Sequence, residues 1–287
     1  KSRISRLFFV KKMKNRIAIQ GAEGSNHHKV ASDFYGANIE LIECLSFDVL
    51  VDNLLSKKAT QGIMAIENTI AGSIIPNYAL IDANNLHICG EEYLNIHHHL
   101  MALPGQKIEN IKEVCSHPMA LLQCKTFFKK YPHIKLVEDV DTAEVAKRIK
   151  NNQLKGVAAI APKLAAEIFE LEVLEDEIQT MKDNATRFVI VQTQKPCNGI
   201  DQINKASLKF QLDHKRGSLA AILNVLSDCK MNLTKIQSMP VIETPWKYSF
   251  FVDVTFNSYQ EYEKAAAIIQ IMAEDFKVLG TYKNGRK

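Results

Sequence analysis

The sequence predicts two α/β lobes around a cleft, followed by a smaller α+β domain. Short apolar runs alternate with helical patterns over residues 14–193, which is typical of mostly parallel sheets covered by helices. Residues 205–287 show a different pattern, in which four strand-like segments are combined with two helical stripes and do not alternate regularly with them. A length of 287 residues accommodates this division.

The predicted lobes are built from repeated strand–helix units. A strand at residues 17–19 leads through a glycine-rich turn to a helix that ends near Gly36, and Ser46 caps the helix after the next strand. The following strands are predicted at residues 39–44, 63–66, 86–89, 113–115, 134–137 and 157–160. We expect the extended stretches 87–103 and 178–193 to cross between the lobes.

A change of composition separates the last domain. Residues 194–204 contain Pro196, Gly199 and several polar residues, which indicates a linker. Strands are then predicted at residues 208–212, 232–241, 248–256 and 278–282, and helices at 219–226 and 262–276. The order β-α-β-β-α-β is that of ferredoxin-like domains.

Composition and charge exclude several classes of protein. The formal net charge is +4, much of it from residues 1–16, and we treat residues 1–13 as a basic N-terminal extension. The remaining chain is close to neutral and gives no argument for a nucleic-acid partner. Because no run of about 18 apolar residues is present, we expect no membrane span. Six cysteines without CxxC spacing, and no export signal, predict reduced thiols and a cytoplasmic location.

The most informative segment precedes a strand predicted at residues 188–191. Asn184, Thr186 and Arg187 would be held rigidly where that strand starts, and α/β proteins bind small ligands at such strand ends. Arg187 suits a carboxylate, whereas Thr186 and Asn184 suit neutral hydrogen bonds. A structural ion pair between lobes explains Arg187 equally well.

Three other turns carry polar residues at strand ends. Gly24 and Ser25 precede a helix whose N–H groups could receive an anion, although a tight strand–helix turn explains them too. Ser116 is either a helix cap or a ligand contact, and Gln123 lies within two turns of the same helix start. Glu67 and Asn68 leave another strand, where a carboxyl can act as a general acid or serve as a turn residue.

The histidine run at residues 97–99 suggests a metal site, but the pattern is incomplete. His97 and His99 would share one face of a strand, yet no acidic or cysteine partner stands at ligand spacing. Catalytic zinc usually takes three protein ligands with supporting partners. We therefore expect no metal.

Taken in order, these segments resemble the prephenate dehydratase family. Its motifs match Gly21/Gly24 in the first turn, Ile66-Glu67-Asn68-Thr69 with Gly72-Ser73, Ser116-His117-Pro118 with Gln123-Cys124, and Asn184-Ala185-Thr186-Arg187-Phe188. The resemblance covers about residues 14–193, and residues 205–287 resemble an ACT regulatory domain. Departures from the family pattern are Ala65 for proline, Thr69 for serine and Met119 for glutamine.

The resemblance implies a fold and an activity. The fold is a two-lobed, periplasmic-binding-protein-like catalytic domain followed by a ferredoxin-like ACT domain. The activity is the decarboxylative dehydration of prephenate to phenylpyruvate in phenylalanine biosynthesis, without a cofactor. Thr186 would be the key hydroxyl, oriented by Glu67 and Asn68. Residues implied to bind substrate are Arg187, Ser116, Gln123, Asn184, Phe188, Gly24 and Ser25.

The resemblance also implies phenylalanine as an effector and self-association into dimers or tetramers. The implied effector residues are Gly217, Ser218, Leu219, Ala220, Gln237, Ser238, Met239 and Pro240. Gln237 and Met239 replace charged residues of the family motif, so feedback control is a weaker expectation than catalysis.

The motifs leave other functions open. Arogenate dehydratase acts on a substrate that carries an amino group in place of a keto group, and the motifs do not separate the two. A non-catalytic small-molecule sensor could share the lobes, although it has no need of the Thr186 hydroxyl. A metal-dependent hydrolase rests on the histidine run alone.

Overall fold

The structure is a computed structural model that describes residues 15–36, 38–196, 202–212, 215–241, 244 and 247–286. The predicted basic extension at residues 1–13 lies outside these ranges, and so do residues 197–201 of the predicted linker. Within them, no helix is long and apolar enough to cross a membrane.

The first lobe combines the start of the chain with one strand that returns from the second lobe. Its elements are β1 (Asn15–Gln20), α1 (Asn26–Tyr35), β2 (Ile39–Cys44), α2 (Phe47–Leu55), β3 (Gln61–Asn68), β4 (Gly72–Ser73), α3 (Ile75–Ala83), β5 (His87–Asn95) and the returning β11 (Ala185–Gln192). The sheet order is β2-β1-β3-β11-β5, with β4 paired to β3.

The second lobe is a five-stranded sheet with three helices. Its elements are β6 (His99–Ala102), a short 3₁₀ turn (Ile108–Asn110), β7 (Glu113–Ser116), α4 (Pro118–Phe128), β8 (Lys135–Glu138), α5 (Thr142–Asn151), β9 (Val157–Ala161), α6 (Lys163–Phe169) and β10 (Glu172–Glu175). The strand order is β10-β6-β9-β7-β8.

Both sheets are mixed, which corrects the expectation of mostly parallel sheets. β1 is parallel to β2 and β3, and β7 is parallel to β8 and β9. In contrast, β11 is antiparallel to β3 and β5, and β6 is antiparallel to β9 and β10. The physical reason is the crossing between lobes, because β6 and β11 each enter a new sheet against its parallel strands.

The C-terminal unit has the predicted β-α-β-β-α-β order. Its elements are β12 (Lys205–Leu212), α7 (Ser218–Asp228), β13 (Asn232–Pro240), β14 (Tyr248–Thr255), α8 (Tyr259–Met272) and β15 (Glu274–Tyr282). The strand order β13-β14-β12-β15, antiparallel throughout, is the ferredoxin-like arrangement. The helix predicted to reach residue 276 ends earlier, because Ala273 is extended and Phe276 belongs to β15.

Local signals in the sequence set several helix ends. Ser46 accepts a hydrogen bond from the Val49 N–H at the start of α2, as predicted for a cap. Gly36 ends α1 with φ of +79°, a conformation that glycine adopts without a Cβ penalty. These ends fix where the chain leaves each helix and turns toward the next strand.

Strand β11 has two buried faces that contact different partners. Phe188 and Ile190 pack with Val30 and Ala31 of α1 on one side. Val189 and Val191 join a core on the other side that includes side chains of the C-terminal unit, Phe251, Leu279 and Tyr282. One side of the first-lobe sheet therefore faces α1 and the cleft, whereas the other side is covered by the C-terminal unit.

Candidate active site

A cleft of about 270 Å³ lies between the two lobes at the ends of β3 and β11. The first lobe contributes Ser25, His27, Phe47, Asn68, Asn184, Thr186 and Phe188. The second lobe contributes His117, Met119, Gln123 and Asp141, and His98 comes from the connection between β5 and β6. Thr186, Asn68, Gln123, Asn184, Phe188 and Ser25, predicted from the sequence, are thus brought together.

Thr186 and Asn68 face each other across neighbouring strands. Asn68 Nδ2 donates a hydrogen bond to Thr186 Oγ1 at 2.9 Å. Asn68 Oδ1 accepts from the backbone N–H groups of Ile70 at 3.0 Å and Ala71 at 2.8 Å, so the amide cannot be reversed without losing both bonds. Because the Thr186 oxygen accepts from Asn68, its own O–H proton is available for another partner.

A bulge in β3 turns Asn68 toward the cleft. Arg187 lies opposite Glu67 and Phe188 lies opposite Ala65, so Ile66 is an extra residue in β3. Ile66 packs in the core shared with the C-terminal unit, and Glu67 also points to that side. Without the bulge, strict alternation from Ala65 would bring Glu67, rather than Asn68, to the cleft face.

A chain of amide hydrogen bonds links Asn68 to the second lobe. Asn68 Nδ2 also donates to Asn184 Oδ1 at 2.7 Å, and Asn184 Nδ2 donates to Gln123 Oε1 at 3.1 Å. Gln123 Oε1 lies 2.8 Å from His98 Nε2. Because that oxygen is an acceptor, His98 Nε2 carries the proton and donates it. The chain fixes the relative positions of the two lobes at the cleft.

His98 and His27 are neutral, buried walls of the cleft. Burial lowers the pKa of His98, although its hydrogen bond to Gln123 opposes this effect. Burial lowers the pKa of His27 to about 3. The His27 ring lies 5.0 Å from the Phe188 ring and 5.6 Å from the Phe47 ring, measured between centroids. These imidazoles therefore add no positive charge to the cleft near neutral pH.

The N-termini of α1, α4 and α5 converge on the cleft. Ser25 caps α1 and His117 caps α4, each through a side-chain bond to a backbone N–H. Asp141 caps α5 by accepting from the N–H groups of Ala143 and Glu144, both at 2.9 Å. Burial raises the pKa of Asp141, against the effect of these hydrogen bonds. Among the described residues, no lysine or arginine lines the cleft, so helix N-termini supply its positive potential.

Arg187 does not reach the cleft, which corrects the expectation of a substrate anchor. It is 4% exposed and points to the opposite side of the sheet from Thr186. Its Nε lies 2.6 Å from Glu91, and its other nitrogens bind Asp253 and Tyr282 of the C-terminal unit. Burial opposes the charged form, but these carboxylates hold the pKa of Arg187 well above its usual value. The ion pair joins the first lobe to the C-terminal unit, rather than lobe to lobe.

Glu67 also lies outside the cleft, and the expectation that it orients Thr186 is corrected. Its carboxylate pairs with Lys235 of β13 at 2.8 Å. The bulge at Ile66 is the cause, because it leaves Glu67 on the side of the sheet that the C-terminal unit covers.

Ser116 and Gly24 have structural roles, which corrects their assignment to substrate binding. The Ser116 hydroxyl donates to the carbonyl of Ile160 at 2.7 Å inside the second lobe. The Gly24 N–H donates to His28 Nδ1 at 3.0 Å. A Cβ at Gly24 would lie 2.9 Å from Ala165 Cα of α6, so this glycine permits the lobes to approach.

The histidine run does not form a metal site in the part of the chain that the structure describes. His99 Nδ1 lies 2.9 Å from Asp176, and His97 Nδ1 lies 3.4 Å from Glu177. Only His98 turns into the cleft. His97 and His99 thus both contact residues 176–177, which agrees with the expectation that they share one face, and His98 faces the other way.

The residues predicted to bind an effector lie in two separate segments. Gly217, with φ of +82°, precedes α7, and Ser218 lines a cavity of about 190 Å³ that none of residues 237–240 lines. Met239 packs against the core shared with the first lobe, and Gln237 Nε2 donates to the carbonyl of Ser238.

Sequence reasoning missed the cleft residues Phe47, His98, His117 and Asp141. His98 belonged to the run that we weighed for metal binding. Asp141 has the sequence position of a helix N-cap, and this structural role explains the residue without any contact to a ligand. The useful signal was the position of each: His117 and Asp141 stand directly before a helix, where a β-strand ends. That position recurs at Ser25.

Two α/β lobes around a cleft, with the cleft face of β11 carrying a threonine, define a protein that holds a small molecule between its lobes. A family model described as prephenate dehydratase matches residues 17–196. The chain belongs to the prephenate dehydratase family, and it is a carbon–oxygen lyase.

Relatives agree with this family, and a solved structure agrees with the fold. The chain is 35% identical over 282 residues to arogenate dehydratase 2 of Petunia hybrida, covering 93% of this chain and 71% of the relative. It is 31% identical to the bifunctional chorismate mutase/prephenate dehydratase of Buchnera aphidicola, covering 91% and 69%. Its fold is similar to a prephenate dehydratase of Arthrobacter aurescens in complex with L-Phe, with a TM-score of 0.84, 23% identity and coverage of 94% and 90%.

Proposed function

We propose that this chain converts prephenate to phenylpyruvate, carbon dioxide and water, as a step of phenylalanine biosynthesis. The observation that carries the proposal is the Thr186 hydroxyl, which accepts from Asn68 and so keeps its proton for the cleft. Family membership supplies the reaction class.

The reaction needs a hydrogen-bond donor where the hydroxyl leaves. The ring carboxylate departs as carbon dioxide, its bonding electrons enter the ring, and the hydroxyl leaves with the C–O bonding electrons and takes up a proton to become water. Thr186 donates to that oxygen as negative charge develops, in the manner of an oxyanion-hole group. A threonine is too weak an acid to supply the proton itself, so the proton comes from elsewhere.

The substrate carboxylates need anchors, but the ring carboxylate must not be bound so strongly that its loss as carbon dioxide is prevented. A buried arginine or lysine would hold that carboxylate strongly in its charged form. In the described part of the cleft, the positive ends of the α1 and α4 helix dipoles offer a weaker attraction. We assign the carboxylates to these helix starts, at Ser25 and His117.

The test is direct turnover by purified protein. Prephenate is added and phenylpyruvate is followed, with Thr186→Ala and Thr186→Ser alongside the unaltered chain. Loss of the donor in Thr186→Ala should lower kcat on the order of 100-fold, whereas Thr186→Ser keeps a hydroxyl and most of the activity. No phenylpyruvate from the unaltered chain, or equal rates for Thr186→Ala, would refute the proposal.

Arogenate is the second candidate substrate, favoured by the similarity to the petunia arogenate dehydratase. Prephenate and arogenate differ at the side chain, and the reacting ring is shared. Comparing kcat/KM for the two substrates on the same preparation decides between them. A ratio above one for arogenate would make prephenate the secondary substrate.

We further propose that residues 205–287 form an ACT domain, joined by a linker at residues 194–204 to a catalytic domain at residues 14–193, and that L-phenylalanine is its effector. The L-Phe complex of the Arthrobacter protein and the β-α-β-β-α-β order support this. The exposed edge strand β13 offers a surface for self-association into dimers or tetramers. Turnover with added L-phenylalanine tests the effector, sedimentation velocity tests the oligomer, and cell fractionation tests the expected cytoplasmic location.

A further inference from the structure

Lys235 of the C-terminal unit reaches the hairpin that carries Asn68. Its Nζ lies 2.8 Å from Glu67 Oε1 and 2.8 Å from Ser73 Oγ. It also lies 5.8 Å from the centre of the Tyr78 ring, within the range of a cation–π contact. The Lys235 side chain is 9% exposed, so these partners replace the water that a lysine normally keeps.

The two oxygen partners of Lys235 stand on opposite arms of one hairpin. Glu67 of β3 lies opposite Ser73 of β4, and Asn68 lies opposite Gly72. The turn between the arms closes on Asn68 Oδ1 through the N–H groups of Ile70 and Ala71. Lys235 therefore holds the base of the hairpin, next to the residue whose amide orients the Thr186 hydroxyl.

We propose that Lys235 is a positioning residue for the reaction: it acts from the C-terminal unit through Glu67 and Ser73 and fixes Asn68 against Thr186. The proposal rests on the proposed function for its catalytic consequence. Neutralising Lys235 leaves the Glu67 carboxylate without this partner and frees the arms of the hairpin. The turn at Ile70 and Ala71 then holds the Asn68 amide without this support, and the bond that directs the Thr186 proton is less closely fixed.

The position of Lys235 also connects the cleft with the predicted effector segment. Lys235 lies on β13 two residues before Gln237, and strand alternation puts both side chains on the same, less exposed face of β13. A ligand that shifts β13 at residues 237–240 would move the Lys235 ammonium relative to Glu67. No contact with the cleft itself is required.

The experiment compares Lys235→Met with a matched control, Lys277→Met. Lys277 also makes an ion pair from the C-terminal unit to the first lobe, with Asp82 at 2.7 Å, but Asp82 belongs to α3 and lies outside the hairpin in the chain. Lys235→Met should lower kcat at least about tenfold, because small misplacements of catalytic groups are costly, and should change KM less than about twofold. Lys235→Arg should restore most of kcat, and Lys277→Met should leave it unchanged.

Hydrogen exchange of the peptide that spans residues 66–75 gives a second reading, independent of turnover. Loss of Lys235 should speed exchange of the Ile70 and Ala71 amides, which Asn68 protects, whereas Lys277→Met should not. Unchanged kcat and unchanged exchange in Lys235→Met would overturn the proposal, as would equal effects of the two variants. If the unaltered chain does not consume prephenate, the proposed function fails, and the exchange result still decides the role of Lys235.

Discussion

Asn68 and Thr186 lie opposite each other on antiparallel strands, joined by a 2.9 Å hydrogen bond in which the asparagine is the donor. The direction of that bond matters more than its length. It leaves the threonine proton free, and the backbone N–H groups of Ile70 and Ala71 prevent the amide from turning over. The cleft is thus prepared to donate one hydrogen bond at a fixed place.

Asn68→Asp should reverse the donor and acceptor of the hydrogen bond with Thr186, while the volume of the side chain at position 68 stays almost the same. An ionised carboxylate only accepts hydrogen bonds, so the Thr186 O–H would donate to it instead of to the cleft. Asn184 Oδ1 would also lose the donor that Asn68 now provides. We expect kcat to fall on the order of 100-fold near neutral pH, as for loss of a donor. Protonation of the carboxyl restores an O–H group, so the deficit should shrink as the pH is lowered from about 7 toward the ordinary aspartate pKa of about 4. A constant deficit across that range would contradict this explanation.

Arg187→Gln should affect stability far more than substrate binding. The change leaves the buried carboxylates of Glu91 and Asp253 without their guanidinium partner, at a cost of about 3–5 kcal/mol. Arg148→Gln, which removes a half-exposed pair with Asp139, should cost less than about 1 kcal/mol. Urea unfolding measures both. A raised KM for folded Arg187→Gln protein without loss of stability would restore the substrate-anchor role.

His27 should make the fold less stable in acid. Its pKa is about 3 in the folded protein and 6.5 in the unfolded chain, so the unfolded state binds more protons between these values. Above about pH 6.5, His27 is neutral in both states and does not reduce the free energy of unfolding. Below that pH, the free energy of unfolding falls by about 1.4 kcal/mol per pH unit. The difference in unfolding free energy between the unaltered chain and His27→Gln should follow this slope from pH 6.5 downward. A difference independent of pH would contradict the assignment.

Gly24→Ala should interfere with the closed arrangement of the lobes. Its Cβ would lie 2.9 Å from Ala165 Cα, and backbone atoms cannot move aside as a side-chain tip can. Gly36→Ala is the control, because Gly36 also has a positive φ but no atom lies within 4 Å of its Cβ position. Both variants should lose about 1–3 kcal/mol for the backbone conformation. Only Gly24→Ala should also raise KM, measured in the same turnover assay.

The order of helices and strands was predictable because it depends on local patterns. The strand at residues 39–44, the Ser46 cap and the helix end at Gly36 are confirmed, since each follows from residues that are neighbours in the chain. The polar group Asn184, Thr186 and Arg187 was recognisable for the same reason, although the sequence did not show that Arg187 faces away from the other two. Alternation along β11 instead puts Phe188 on the face of Thr186.

The sequence by itself determined the elements, the β-α-β-β-α-β order and the family motifs, because these depend on composition and spacing alone. Only the tertiary structure decided which residues of each motif reach the cleft. Arg187 and Glu67 point away because the C-terminal unit covers that side of the sheet with Asp253 and Lys235. The bulge at Ile66 then brings Asn68, rather than its neighbour, to Thr186. Both effects arise from contacts between segments far apart in the chain, and the local pattern does not encode them.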